Sequence, residues 1–245
     1  MLVYSGYLNN NSVLSKHVVE TLGKTKSKTT WSIIGLPTEA SLKVLGKKYQ
    51  FDIDNNTKDY GFIHEFSFDS SIKRMSKLYN KNGNHILFTK GATEWILPLC
   101  SQYQLDGKTL PINDEITEKI LENMNLYASQ GYRILTITNR EINENQLVQD
   151  LESDNAREIY ESNLIFLGFV VILDPPRDDV FQAITDCKNG GISVIMITGD
   201  SISTGKAIAE KINIYDERKN LAIEGNQLES ISDKLDIVLI MSVEP

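Results

Sequence analysis

The chain has 245 residues, enough for one large domain or two smaller ones with a core in each. Its 41% hydrophobic and 24% charged residues are ordinary for a globular protein, and a net charge of −8 excludes a general nucleic-acid binder, whose surface must be basic. The longest apolar run, LIFLGFVVIL at 164–173, is about half of what a bilayer-spanning helix needs. Cys100 and Cys187 stand far apart with no secretory leader before them, so free thiols and a reducing compartment are expected. His17, His64 and His85 show no ligand spacing, and no metal site is expected among the side chains.

In chain order, residues 10–50 read as helical pieces around a polar segment, with Pro37 and Glu39 marking a helix start. From 49 to 90 the pattern turns to short strands: 62–68 alternates, 80–84 is a hairpin tip, and 85–89 returns. Residues 113–129 form an amphipathic helix capped by Asn113 and stopped by Gly131, followed by a strand at 133–138. The acidic stretch 141–161 is expected as an exposed helix or loop, its charges solvated. Pro175 and Pro176 then stiffen a joint, which places a domain boundary at Asp174 and predicts domains 1–173 and 174–245. Beyond it come a helix at 178–188, a Gly190-Gly191 stop, a strand at 192–197, and a helix with Ala207, Ile208 and Ile212 on one side. That alternation predicts a parallel sheet with too few strands to be complete.

The stretch VIMITGDSISTGKA at 194–207 has the look of a phosphate-binding P-loop. Five residues separate Gly199 from Gly205, where a P-loop needs four, and Ala207 stands in place of the metal-binding hydroxyl. The P-loop reading fails. Thr198 and Asp200 instead sit at the carboxyl end of a strand expected to be buried, where open α/β sheets hold ligands. The residues alone leave open whether Asp200 faces a ligand or merely opens the next helix.

Six segments, in order, resemble the P-type cation-transporting ATPases. They are PTEASL at 37–42, FDSSIKRMS at 68–76, KGATE at 90–94, GYRIL at 131–135, the LG…DPPR stretch at 167–177, and TGD at 198–200 with Thr204. The form of the second is similar to the sodium-type and calcium-type pumps of fungi. The resemblance implies an α/β fold: an α+β nucleotide-binding domain with an antiparallel sheet flanked by helices, then a truncated haloacid-dehalogenase-like segment. It implies ATP, as Mg-ATP, with Phe68 stacking on the adenine, Glu39 on its edge, and Lys73, Lys90 and Gly91 lining the pocket. It further implies Arg133 at the phosphate end, Thr198, Gly199 and Asp200 around the phosphoryl group, and Asp174 with Arg177 closing the hinge. The partners implied are ATP and the actuator and transmembrane parts of a pump, with this part on the cytoplasmic side and no nucleic acid. Without the motifs, Phe68 reads as core, Lys73 and Lys90 as solvated charge, Glu39 as a helix-dipole partner and Arg133 as an edge-strand charge.

The family's nucleophilic aspartate, in D-K-T-G-T, is not among these residues, Ser242 stands where an arginine is usual, and Gly205 replaces an alanine. The expectation is a chain that binds ATP and does not hydrolyse it or pump unaided. The alternatives are a regulatory remnant of a pump, or a haloacid-dehalogenase-like phosphatase using Asp52 and Asp54, which would require those aspartates on a strand.

Overall fold

The computed structural model describes residues 1–19, 28–49, 52–143, 146–147, 150–153, 155–173, 176–198, 202–224 and 240–242. The chain divides into two compact units, the first made of Met1–Glu118 and Leu135–Val170, the second of Lys119–Ile134 and Val171–Pro245.

Helix α1 (Leu2–Leu8) opens the first unit and is followed by an antiparallel ribbon of β1 (Val13–Val19) and β2 (Lys28–Ile34). The helical reading of residues 10–50 is therefore wrong for this ribbon. Helix α2 (Pro37–Lys48) starts where expected, with proline in the first turn, Glu39 at the positive end of the dipole and Lys47 and Lys48 at the negative end. After the short helix α3 (Ile53–Thr57) come β3 (Tyr60–Asp69), β4 (Arg74–Lys81) and β5 (Asn84–Gly91), a three-stranded antiparallel meander. The turn between β4 and β5 is Asn82-Gly83, both in the left-handed region (φ 53° and 89°), as a two-residue hairpin turn requires.

Helix α4 (Thr93–Ile96) leads into a second hairpin, β6 (Cys100–Leu105) and β7 (Lys108–Pro111). Helix α5 (Asp114–Ser129) is capped as predicted: the Ile116 N–H donates to Asn113 Oδ1 at 2.9 Å. Strand β8 (Arg133–Ile142), helix α6 (Ala156–Tyr160) and β9 (Leu164–Ile172) follow. The resulting seven-stranded sheet has the order β3-β4-β5-β8-β9-β6-β7. It is mixed rather than purely antiparallel, because β6 and β9 run parallel. On the face of β4 and β5 that carries Lys77 and Lys90, Tyr60, Tyr79, Ile86 and Phe88 form an aromatic core against Leu8.

In the second unit, α7 (Val180–Asn189), β10 (Met196–Thr198), α8 (Ile202–Lys211), β11 (Ala222–Glu224) and β12 (Ile240–Ser242) build a parallel sheet of order β10-β12-β11. Its core is Ile184, Ala209, Ile212, Ile214 and Tyr215. The strand expected at 192–197 is limited to three residues, and it is not buried: Ile197 is 65% exposed. Among the described residues no helix is long and apolar enough to cross a membrane.

Candidate functional site

The register of β3, β4 and β5 sets Glu65 directly opposite Lys77, Lys77 opposite Phe88, and Met75 opposite Lys90. Because side chains alternate along a strand, Glu65, Lys77 and Lys90 share one face of the sheet. Lys90, only 4% exposed, donates from Nζ to Glu39 Oε1 and to the Asn9 carbonyl, each at 2.5 Å. Burial pulls its pKa down, and the bond and charge of Glu39 only partly restore it. Lys77 Nζ lies 3.3 Å from Glu65 Oε2 and donates to the Asn10 carbonyl at 3.2 Å and to Asn11 Oδ1 at 2.5 Å. Burial raises the Glu65 carboxyl, but the Asn11 bond and the Lys77 charge outweigh it, and the net shift is downward. Two ion pairs thus stand side by side, with the segment Asn9-Asn10-Asn11 laid across both.

Phe68 follows on β3, where the register shifts between Phe66 and Asp69, and it is 59% exposed, so it is not a core residue. A cleft of about 560 Å³ borders it, lined also by His64, Phe66, Asp69, Glu152 and Arg157. The turn after Phe68 is closed by Asp69, whose Oδ1 accepts from the Ser71 N–H at 2.7 Å and its hydroxyl at 2.6 Å. Lys73, exposed and left-handed at φ 48°, ends that turn. A Cβ on Gly91 would stand 2.3 Å from the Lys73 carbonyl and 2.7 Å from Arg74 Cα. The close approach at Gly91 is therefore made by the backbone of the neighbouring strand, which no other residue would permit.

On the opposite face, Glu161 is fully buried among cations: Arg74 Nε donates to it at 2.6 Å, Ser76 Oγ at 2.6 Å and Arg157 Nε at 3.1 Å. The expectation that charges of the 141–161 stretch are solvated fails here, because the fold delivers two arginines and a hydroxyl to this carboxylate. Arg157 also donates to the carbonyls of Ser67 (3.1 Å) and Arg74 (2.8 Å), tying α6 to both ends of the Phe68 turn.

The structure brings Glu39 and Lys90 into contact and places Lys73 beside Gly91, all in the first unit with Phe68. Arg133 opens β8, exposed, and belongs to the second unit. Arg177 is exposed at 3.8 Å from Asp179, and Thr198 is the last residue of β10. Asp174, Gly199 and Asp200 lie outside the described residues. Asp52 immediately precedes α3 and Asp54 lies within it, paired with Lys47 and Tyr7, so neither aspartate is on the strand that a phosphatase nucleophile would need. Sequence reasoning missed the asparagine triplet, Lys77, Glu65 and Glu161. The run of three asparagines before an apolar segment was the available signal.

The family model of the P-type ATPase cytoplasmic domain N matches residues 2–179. The chain belongs to the P-type ATPases. Among the relatives of this P-type ATPase chain are a sodium/potassium exporting P-type ATPase of Schizosaccharomyces pombe, 34% identical over 83% of the chain and 20% of the relative, and calcium-transporting ATPase 1 of Bacillus cereus, 34% identical over 81% and 21%. Sodium/potassium exporting P-type ATPase 1 of Saccharomyces cerevisiae is 30% identical over 88% of the chain and 24% of its own length. The P-type ATPase chain thus spans between a fifth and a quarter of these curated relatives.

Proposed function

We propose that the chain is the ATP-binding cytoplasmic part of a cation pump, and that it binds ATP without hydrolysing it unaided. The observation that carries this reading is the Glu39–Lys90 pair: a cation held against the pull of burial, with an acid whose lone pairs suit a base amine, in the same unit as an exposed Phe68. Perturbed, partnered charges of this kind mark binding sites. Phe68 would stack on adenine, Glu39 accept from its amine, and Lys90 and Lys73 balance the phosphates. The family motifs alone assign Arg133 to the phosphate end, Thr198, Gly199 and Asp200 to the phosphoryl group, and Asp174 and Arg177 to the hinge. On this reading residues 1–173 are the nucleotide-binding domain and 174–245 part of a haloacid-dehalogenase-like phosphorylation domain, partnered in the pump by actuator and transmembrane parts.

Among the described residues no cluster of three or more His, Cys, Asp or Glu side chains offers a metal site. Magnesium would arrive bound to the triphosphate, where it offsets phosphate charge.

The test is an amide-resolved NMR titration of the full chain with ATP, with and without Mg²⁺, repeated on Phe68→Ala. The expected result is shifts at Phe68, Lys90 and Gly91 with a Kd on the order of 1 mM, lost in the variant. A folded chain in which no amide moves would overturn the reading.

A further inference from the structure

The carboxylate of Glu39 has a different donor on each oxygen: Lys90 Nζ holds Oε1 at 2.5 Å, and the main-chain N–H of Asn11 reaches Oε2 at 3.3 Å. That N–H is itself fixed by the Asn11 side chain, whose Oδ1 accepts from Lys77 at 2.5 Å and whose Nδ2 donates to Glu65 Oε1 at 2.8 Å. The neighbours reinforce it. Asn10 Nδ2 donates to the Glu39 carbonyl at 2.6 Å, and Asn9 Nδ2 donates to the carbonyls of Met75 (3.2 Å) and Phe88 (3.0 Å). Asn9 and Asn10 are buried, at 1% and 7% exposure, whereas Asn11 is exposed. The exposed side chain of Asn11 bridges the two members of the Lys77–Glu65 pair, and its main-chain N–H reaches Glu39 of the other pair.

We propose that Asn11 is a positioning residue for nucleotide selectivity, an inference that rests on the ATP-binding function above. By holding its own loop between Lys77 and Glu65, it aims Glu39 so that the free lone pairs of the carboxylate accept from the exocyclic amine of adenine. Guanine presents a carbonyl oxygen at the corresponding position, an acceptor that a fixed carboxylate repels. Selectivity then depends on the carboxylate being unable to swing away, which is what the Asn11 bonds supply.

The experiment is a paired titration of the full chain with ATP and with GTP, on wild type, Asn11→Ala and Asn11→Asp, alongside thermal melts. Asn11→Ala removes the side-chain bonds to Lys77 and Glu65; by loosening the loop that orients Glu39 it is expected to weaken ATP about fivefold and to leave GTP nearly unchanged, so the preference falls by the same factor. Its melting temperature should stay within a few degrees of wild type. Asn11→Asp keeps the acceptor for Lys77 but sets a carboxylate against Glu65, and is expected to lose at least as much preference as Asn11→Ala. A wild type that binds ATP while Asn11→Ala keeps the ATP-to-GTP ratio overturns the inference alone, as does an equal loss for both nucleotides. A wild type with no ATP-dependent shift overturns both the nucleotide reading and this inference.

Discussion

Lys43 illustrates how one residue can hold a cost that its neighbours would not reveal. Its Nζ stands 3.8 Å from the centre of the Tyr7 ring, half-buried in α2. Burial first, and then the charge of Lys77, push its pKa down from 10.5 to about 8, against a smaller upward pull from Asp54. Between pH 8 and 10.5 the unfolded chain therefore binds more protons at this site than the folded one, and stability rises with pH through that window. Below it, the desolvated charge costs in full. Replacing it with an apolar chain of similar length removes the cost, so Lys43→Met is expected to raise the melting temperature by a few degrees at pH 7. The gain should shrink towards pH 10, where the native amine is already neutral. Melts of both proteins at the two pH values decide it: an equal gain at both would assign the effect to packing rather than to charge.

At the scale of elements, the clasp around Glu161 is what ties the short helix α6 to β4. Five residues of helix cannot hold themselves in place, since nucleation costs more than so few hydrogen bonds return. The buried carboxylate, with Arg74 and Arg157 on it, supplies the anchor. Glu161→Gln keeps the shape and removes the charge, leaving two partly buried guanidinium groups uncompensated, and is expected to cost about 3 kcal/mol. Chemical denaturation reads this as a lower midpoint at unchanged slope; a shift of less than about 0.5 kcal/mol would mean that the arginines reach water instead. This element also shows what a sequence hides. Arg74 and Glu161 are 87 positions apart, and within an acidic stretch nothing singles out the one carboxylate that the fold will bury. Where the determinants are local, the elements were legible: Asn113 caps α5, Pro37 starts α2, and Asn82-Gly83 turns the β4–β5 hairpin. The β1–β2 ribbon was not, because Trp31, Ile33 and Ile34 are all exposed and leave no alternating apolar face to read. The parallel pairing of β6 with β9 joins segments too distant for any local pattern to foresee. Glu39, Phe68, Lys73 and Lys90 were reached through family motifs, whereas the asparagine segment fell at the start of the stretch read as helical pieces around a polar segment. Its bonds run to residues as far as 81 positions away, so its role exists only in the fold.

For the molecule as a whole, the question is whether the two units unfold together. Each has its own core, aromatic in the first and aliphatic with one tyrosine in the second. The chain passes between them at 118–119, 134–135 and 170–171, and each passage falls inside a regular element: α5, β8 and β9. Melting one unit would fray a helix and two strands that also belong to the other, which argues for a single cooperative transition. Trp31 and Trp95 both lie in the first unit, so tryptophan fluorescence reports that unit alone while circular dichroism reports both. The two signals are expected to share one midpoint in guanidinium. Adding ATP at about ten times its Kd should move both together by about 1.4 kcal/mol, the linkage expected of one site on the folded chain. A dichroism trace with a second step after the tryptophan signal has ended would show that the shared elements do not transmit unfolding. In that case nucleotide would shift the first step only, and the second unit would stand on its own small core.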